Sequence, residues 1–216
     1  SHYAVGIDIG TKKVRCVIGH IDETTGVPRI IGVGQAPNSG MRKGVITHLN
    51  GPAAAIDTAL DAAERMSGHR VNQAALGTNG VHIISTKVDG MVAVNASSSE
   101  VTEDDVARLE NVATVGKVPA NREILEVVPY EYRLDGQDNI KNPIGMTGTR
   151  LELRANVVSG LVPHLGNLHK LAEMSNIDAV RIIPTVLASA QAVLNESQME
   201  NGVAVIDIGA STTGVA

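Results

Sequence analysis

The 216 residues predict an α/β protein in which a mixed-sheet body is interrupted by an inserted α+β subdomain. Two observations lead there. The tetrapeptide Ile-Asp-Ile-Gly occurs at residues 7–10 and again at 206–209, 199 positions apart (207 − 8), each time ending a β-branched apolar run and each time followed by small or polar turn residues and another apolar segment. Each copy reads as strand, tight turn, strand. Between the copies helical and strand periods alternate, except from about Val81 to Gly160, where strand-like segments crowd around a single helical pattern.

Taken in order, Ala4 to Ile9 and Val14 to Ile18 form a hairpin through Gly10 to Lys13, and Ile30 to Gln35 adds a third strand after the Gly26-Val27-Pro28 turn. Pro52 opens a helix in which Ile56, Ala59, Leu60 and Ala63 fall at the i, i+3, i+4, i+7 spacing of one buried face. Asp61 and Arg65 pair on its wet face, and Gly68 closes it. A strand at Gln73 to Gly77 follows. In the inserted region strands are expected at Ile83 to Lys87, Met91 to Asn95, Ile124 to Arg133 and Leu151 to Val158. Its helix begins with Thr102 as N-cap and Asp105 three residues on as a capping box, ahead of Val106, Leu109 and Ala113; Glu103 and Asp104 suit the positive end of the helix dipole. Past Gly160 come a helix opened by Pro163 with Leu165, Leu168 and Ala172 on one face, a strand at Ala179 to Ile183, a helix from Val186 to about Asn195, and the second hairpin. This is the order of a ribonuclease-H-like half, two of which make the actin fold. The expected division is residues 1–80 and 161–196 as body, 81–160 as insert and 197–216 as the start of a second half. Because the second hairpin stops at Ala216, a longer protein is expected.

Hydrophobic content of 43% is enough for a core at this length, but with no Phe, no Trp and 1% aromatic residues the core is built from Val, Ile, Leu, Ala and Met. Stacking on nucleobases is therefore not expected, and a net charge of −5 argues against nucleic acid as a partner. Cys16 is the one cysteine, which excludes an intrachain disulfide and suits a reducing compartment. No stretch approaches the apolar length of a membrane span, no signal peptide precedes Ala4, and the seven His residues show no metal-binding spacing.

The two turns carry the chemistry. In the first, Gly10 lets a ligand approach the backbone, Thr11 offers a hydroxyl and an N–H, and Lys12, Lys13 and Arg15 bring positive charge. Asp8 repels a phosphate, so its expected task is to hold a water of a Mg²⁺ ion that bridges phosphates, and Asp207 matches it in the second copy. Gly209, Ala210, Ser211, Thr212 and Thr213 leave the second turn's backbone open to an anion. A single Asp-x-Gly is also an ordinary surface hairpin; the matched second copy argues against that reading. Gln191, in a helix of small residues, reads first on spacing alone as a solvent-facing amide, the alternative being a side chain that orients a water in line with a γ-phosphate.

With these residues in view, the chain resembles the N-terminal part of FtsA, the actin-like ATPase family of bacterial cell division. Gly6-Ile7-Asp8-Ile9-Gly10-Thr11 with Val14-Arg15 is similar to the family's first phosphate motif, and Gly40-Met41-Arg42-Lys43-Gly44-Val45 to its following strand. More specific are Ile124 to Tyr132, Leu134 to Gln137 and Pro143 to Glu152, all in the insert. The resemblance implies a ribonuclease-H-like half of an actin-like ATPase fold, with body 1A, an SHS2-like insert 1C and the beginning of 2A. It also implies ATP with Mg²⁺ as ligands, self-association into filaments, FtsZ bound through a part of the second half beyond this segment, and divisome membrane proteins bound through the insert. The expected location is the cytoplasm, peripheral at the inner face of the membrane at the division site. Ala190-Gln191-Ala192-Val193-Leu194 is similar to actin's connecting helix, where the Gln positions the attacking water, although an acidic residue is common there in FtsA. ATP is then mainly a conformational and assembly switch, at most slowly hydrolysed. Two alternatives are a PilM-like pilus assembly protein, which the Pro143 to Glu152 block disfavours, and an actin-fold sugar kinase, which lacks its acidic base because no Asp or Glu lies between Pro184 and Gln191. Arg150, an exposed Arg expected in a Gly-rich loop, is the residue of the insert most suited to anchor a neighbour.

Overall fold

A computed structural model describes residues 2–95 and 99–216. Strands β1 (Tyr3–Ile9), β2 (Lys13–Ile21) and β3 (Pro28–Pro37) form the expected antiparallel meander. Alternation sets its faces: Ile7, Ile9, Val14, Cys16 and Ile18 are buried on one side, which leaves Asp8 and its register partner Arg15 on the other. Two-residue strands β4 (Met41–Arg42) and β5 (Val45–Ile46) make a small hairpin where a single strand was expected. The positive φ of Lys43 and Gly44, 50° and 76°, turns the chain there.

Helix α1 (Asn50–Ser67) starts two residues before Pro52, which is tolerated in the first turn because its missing N–H has no intrahelical acceptor there. Ile56, Ala59, Leu60 and Ala63 are buried as expected, Arg65 reaches Asp61 at 2.7 Å, and Gly68 caps the helix in the left-handed conformation. The helix lies on β3 at Gly32 and Gly34, where an added Cβ would come 2.4 Å from the Ala63 carbonyl oxygen and 1.8 Å from that of Ala59. β6 (Gln73–Thr78) then pairs parallel to β1.

The second compact unit covers residues 84–161. Its first strand, β7 (Ile84–Ala93), is continuous and replaces the two strands expected on either side of Gly90. Gly90 is not a turn: a Cβ there would lie 2.7 Å from the Ala113 Cβ, so the glycine admits the helix above it. That helix, α2 (Glu103–Thr114), has the full capping box, with the Asp105 N–H donating to Thr102 Oγ1 at 3.2 Å and the Thr102 N–H donating to Asp105 Oδ2 at 3.0 Å. β8 (Arg122–Leu134), β9 (Gln137–Ile140) and β10 (Arg150–Leu161) complete a four-stranded sheet in the order β7-β10-β8-β9. Val88, Val92, Leu109, Ala113, Leu151, Leu153, Ala155 and Val157 belong to its core.

The chain returns to the first unit, residues 1–83 and 162–216, with α3 (Val162–Met174) and β11 (Asp178–Pro184). β11 pairs parallel to β6, giving the five-stranded order β11-β6-β1-β2-β3. Three antiparallel strands extended by two parallel ones is the ribonuclease-H-like arrangement expected. α4 (Thr185–Val193) ends two residues earlier than expected, and α5 (Glu196–Asn201), which was not expected, starts at once because Asn195 and Gln198 form their own capping box. β12 (Ile206–Ile208) and β13 (Thr213–Val215) close the chain as the second hairpin, with its pairing continued by bonds in both directions between Val205 and Ala216.

Candidate functional site

The two Ile-Asp-Ile-Gly hairpins share one register. Asp8 opposes Arg15 and Asp207 opposes Gly214, and in both the turn glycine donates its N–H three residues ahead: Gly10 to the Lys13 carbonyl at 3.0 Å, Gly209 to the Thr212 carbonyl at 2.9 Å. A Cβ on Gly10 would come 2.7 Å from that Lys13 oxygen, so the first turn demands glycine.

The turns also meet. Ser211 Oγ donates to Thr11 Oγ1 at 2.9 Å across 200 residues of chain, and Thr11 Oγ1 accepts a second bond from the Gly44 N–H at 3.0 Å. Buried Thr11 therefore ties the first turn to the second and to the β4–β5 hairpin. Asn38 holds the first turn from another side, its amide donating to the Gly10 carbonyl at 2.8 Å and its N–H to the Lys12 carbonyl at 2.9 Å.

Asp8 lies at the carboxyl end of β1, beside the ends of β6 and β11, where open α/β sheets present their ligand sites. Thr185, first residue of α4, donates to Asp8 Oδ1 at 3.0 Å, and Arg15 Nη1 stands 3.8 Å from Oδ2. Burial pushes the Asp8 carboxyl above its usual range; the Thr185 hydrogen bond and the Arg15 charge oppose this, and the negative charge of Asp207 adds to it. Lys12, Lys13 and Arg15 are exposed, as are Gly209, Ala210, Ser211 and Thr213, while Thr212 is half-buried. Gln191 is exposed near the end of α4. Thr185, Asn38 and Gly44 were not among the site residues expected from the sequence. Thr185 and Asn38 carried no local signal, because the residues they hold, Asp8 and Gly10, lie 177 and 28 positions away.

A carboxylate partly withdrawn from water, within the field of the Asp207 charge and with the Arg15 guanidinium at 3.8 Å, fits a site that a divalent ion completes. Among the described residues no group of three His, Cys, Asp or Glu side chains is placed to hold a metal ion.

In the second unit Arg150 is exposed at the start of β10, with Nε 2.9 Å from Glu152 Oε1. Arg133 Nη1 also reaches Glu152, at 3.3 Å, and Arg154 reaches Glu131 at 3.0 Å, so this face of the sheet is a ladder of cross-strand ion pairs.

Residues 80–159 match the model of the SHS2 domain inserted in FtsA. Over 212 residues the chain is 35% identical to the cell division protein FtsA of Pseudomonas aeruginosa, covering 98% of this chain and 50% of that protein. The chain is FtsA-like. It is likewise 36% identical to FtsA of Neisseria meningitidis over 214 residues, covering 99% of this chain and 51% of that one, and 35% identical to FtsA of Bacillus subtilis over 212 residues, covering 98% and 48%. The chain thus spans about half the length of the FtsA proteins it matches.

Among solved structures it is similar to the PilM–PilN type IV pilus biogenesis complex, with a TM-score of 0.64 at 14% identity over 98% of this chain and 56% of that one. The ethanolamine utilization protein EutJ from Carboxydothermus hydrogenoformans gives 0.50 at 15% identity over 99% and 46%. These likenesses speak for the actin-like fold alone. The FtsA-type insert and the higher FtsA identity separate the chain from a PilM-like reading. Among the described residues no helix is long and apolar enough to cross a membrane.

Proposed function

We propose that this chain is the nucleotide-gripping half of an ATP-binding cell division protein of FtsA type. The observation that carries the reading is the pair of register-matched hairpins whose turns are joined through Thr11 and Ser211. In this reading the backbone of Gly10, Thr11, Gly209, Ala210, Ser211, Thr212 and Thr213 surrounds the phosphates of ATP, and Lys12, Lys13 and Arg15 offset their charge. Asp8 and Asp207 hold waters of a Mg²⁺ ion, which screens the phosphates and fixes their geometry when bound. Gln191 positions a water for slow hydrolysis, and ATP acts chiefly as a switch between assembly-competent and incompetent states. Residues 1–80 and 161–196 are subdomain 1A, 81–160 subdomain 1C, and 197–216 the opening of subdomain 2A.

The exposed isoleucines of the second hairpin support a second half. Ile7 and Ile9 are each 1% exposed, whereas Ile206 and Ile208, their counterparts in the repeat, are 61% and 79% exposed. An equivalent sheet and helix are the natural cover for them. The intact protein is then a filament former that tethers FtsZ to the inner face of the membrane and recruits later division proteins through the insert.

Titrating labelled ATP against the chain in Mg²⁺ and in chelator tests the ligand: binding that Mg²⁺ strengthens is expected, and none in either condition would refute it. For the insert, Arg150→Glu in the FtsA-type protein that contains this chain should reduce lipid-dependent pelleting at least several-fold while leaving nucleotide affinity within twofold, since it opposes Glu152 with a like charge on the sheet face and touches neither turn. Loss of nucleotide affinity with normal pelleting would reverse this division of labour.

A further inference from the structure

Two oxygens of one carboxylate are held in different ways at the end of β1. Asp8 Oδ1 accepts the Thr185 hydroxyl at 3.0 Å, while Oδ2 is turned to the half-exposed Arg15 at 3.8 Å. The space between β1 and α4 is kept clear by Gly77 on β6: a Cβ there would come 3.1 Å from Thr185 Oγ1 and 3.2 Å from Asp8 Oδ1. The next residue of α4 touches the other hairpin, because a Cβ on Gly214, which opposes Asp207, would sit 3.0 Å from the Val186 Cβ. Consecutive residues of one helical turn therefore abut both hairpins at the level of their aspartates.

We propose that Thr185 is the positioning residue of the Asp8 carboxylate: by occupying Oδ1 it fixes the carboxylate plane and directs Oδ2 to the hydrated cation, and so sets the Mg²⁺-linked part of nucleotide affinity. This rests on Asp8 being the metal-side carboxylate. A hydroxyl suits the role because it donates to the carboxylate without adding a charge that would compete with the ion. Removing a group that orients a metal's ligand typically costs about 10–100-fold in metal affinity.

The measurement is the ATP dissociation constant in Mg²⁺ and in chelator, and their ratio, for wild type, Thr185→Val, Thr185→Ala, Thr185→Ser and Asp8→Asn, with circular dichroism to verify folding. Thr185→Val keeps the shape and removes the donor; Thr185→Ala does so without any risk of overpacking. Both should lose about 10–100-fold of the Mg²⁺-linked ratio, with affinity in chelator unchanged, and Thr185→Ser should keep the ratio. A hydroxyl that only stabilised the fold would shift melting and weaken both affinities alike, and that result overturns the proposal. A wild-type ratio in Thr185→Val and Thr185→Ala while Asp8→Asn collapses it overturns the positioning role alone. An unchanged ratio in Asp8→Asn removes the metal reading of Asp8 together with it.

Discussion

Replacing Asp8 by Asn will move stability and nucleotide affinity in opposite directions. Asn keeps the shape and can still accept from Thr185, so the lost property is charge. The folded chain holds the Asp8 proton to a higher pH than the unfolded chain, chiefly because of burial. The folded state therefore binds more protons between the two pKa values. The group's contribution is most favourable below its unfolded value, falls as pH rises through the folded pKa, and stays unfavourable at neutrality. In chelator at pH 7, Asp8→Asn should melt at or above the wild-type temperature, with the difference shrinking as pH falls from the raised folded pKa towards the unfolded value of about 4 and gone below it, where both side chains are neutral. With Mg²⁺ and ATP the order reverses, because the variant should lose on the order of 100-fold in Mg²⁺-linked affinity, the upper end of what removing an ion-orienting group costs. Thermal melts across pH with calorimetric ATP titration would check both halves. A variant less stable than wild type in chelator at pH 7 would mean that Arg15 and Thr185 outweigh the burial of the charge.

Gly34→Val is the expected fold breaker. Its Cβ would fall 1.8 Å from the Ala59 carbonyl oxygen, and the obstacle is helix backbone rather than the end of a flexible side chain. α1 must lift from β3, separating Ala59 and Ala63 from the sheet. Overpacking usually costs about 1–3 kcal/mol, and displacing a whole helix belongs at or above the top of that range, a large share of the roughly 5–15 kcal/mol that holds a domain together. Gln35→Val is the control: it adds the same side chain one residue on, on the exposed face of β3, and should change stability by no more than about 0.5 kcal/mol. Urea unfolding followed by circular dichroism separates the two. A Gly34→Val midpoint equal to that of Gln35→Val would show that α1 does not depend on glycine beneath it.

What the sequence alone determined is what short-range chemistry dictates. Alternation through Val5 to Ile9 and Val14 to Ile18 specifies a hairpin with Asp8 opposite the core, since strand side chains change face at every residue. Thr102 and Asp105 place the start of α2 because both halves of a capping box lie within one turn. The buried face of α1 follows from its 3.6-residue period. The missed α5 also had a local signal, the Asn195 and Gln198 pair, overshadowed by the apolar run before it.

Only the tertiary structure decided the rest, because the deciding partners are remote in the chain. Thr185 becomes Asp8's neighbour across 177 residues when β1, β6 and β11 align their carboxyl ends, and no local pattern encodes that alignment. Gly90 resembles a strand breaker until Ala113 is seen above it, and Gly32 and Gly34 resemble weak strand residues until α1 lies across them. The repeat makes the distinction most directly. Identical Ile-Asp-Ile-Gly segments form the same hairpin in the same register, yet the isoleucines are buried in one and exposed in the other. Hairpin geometry is set by neighbouring residues along the chain, whereas burial is set by whatever sheet and helix come to rest against it.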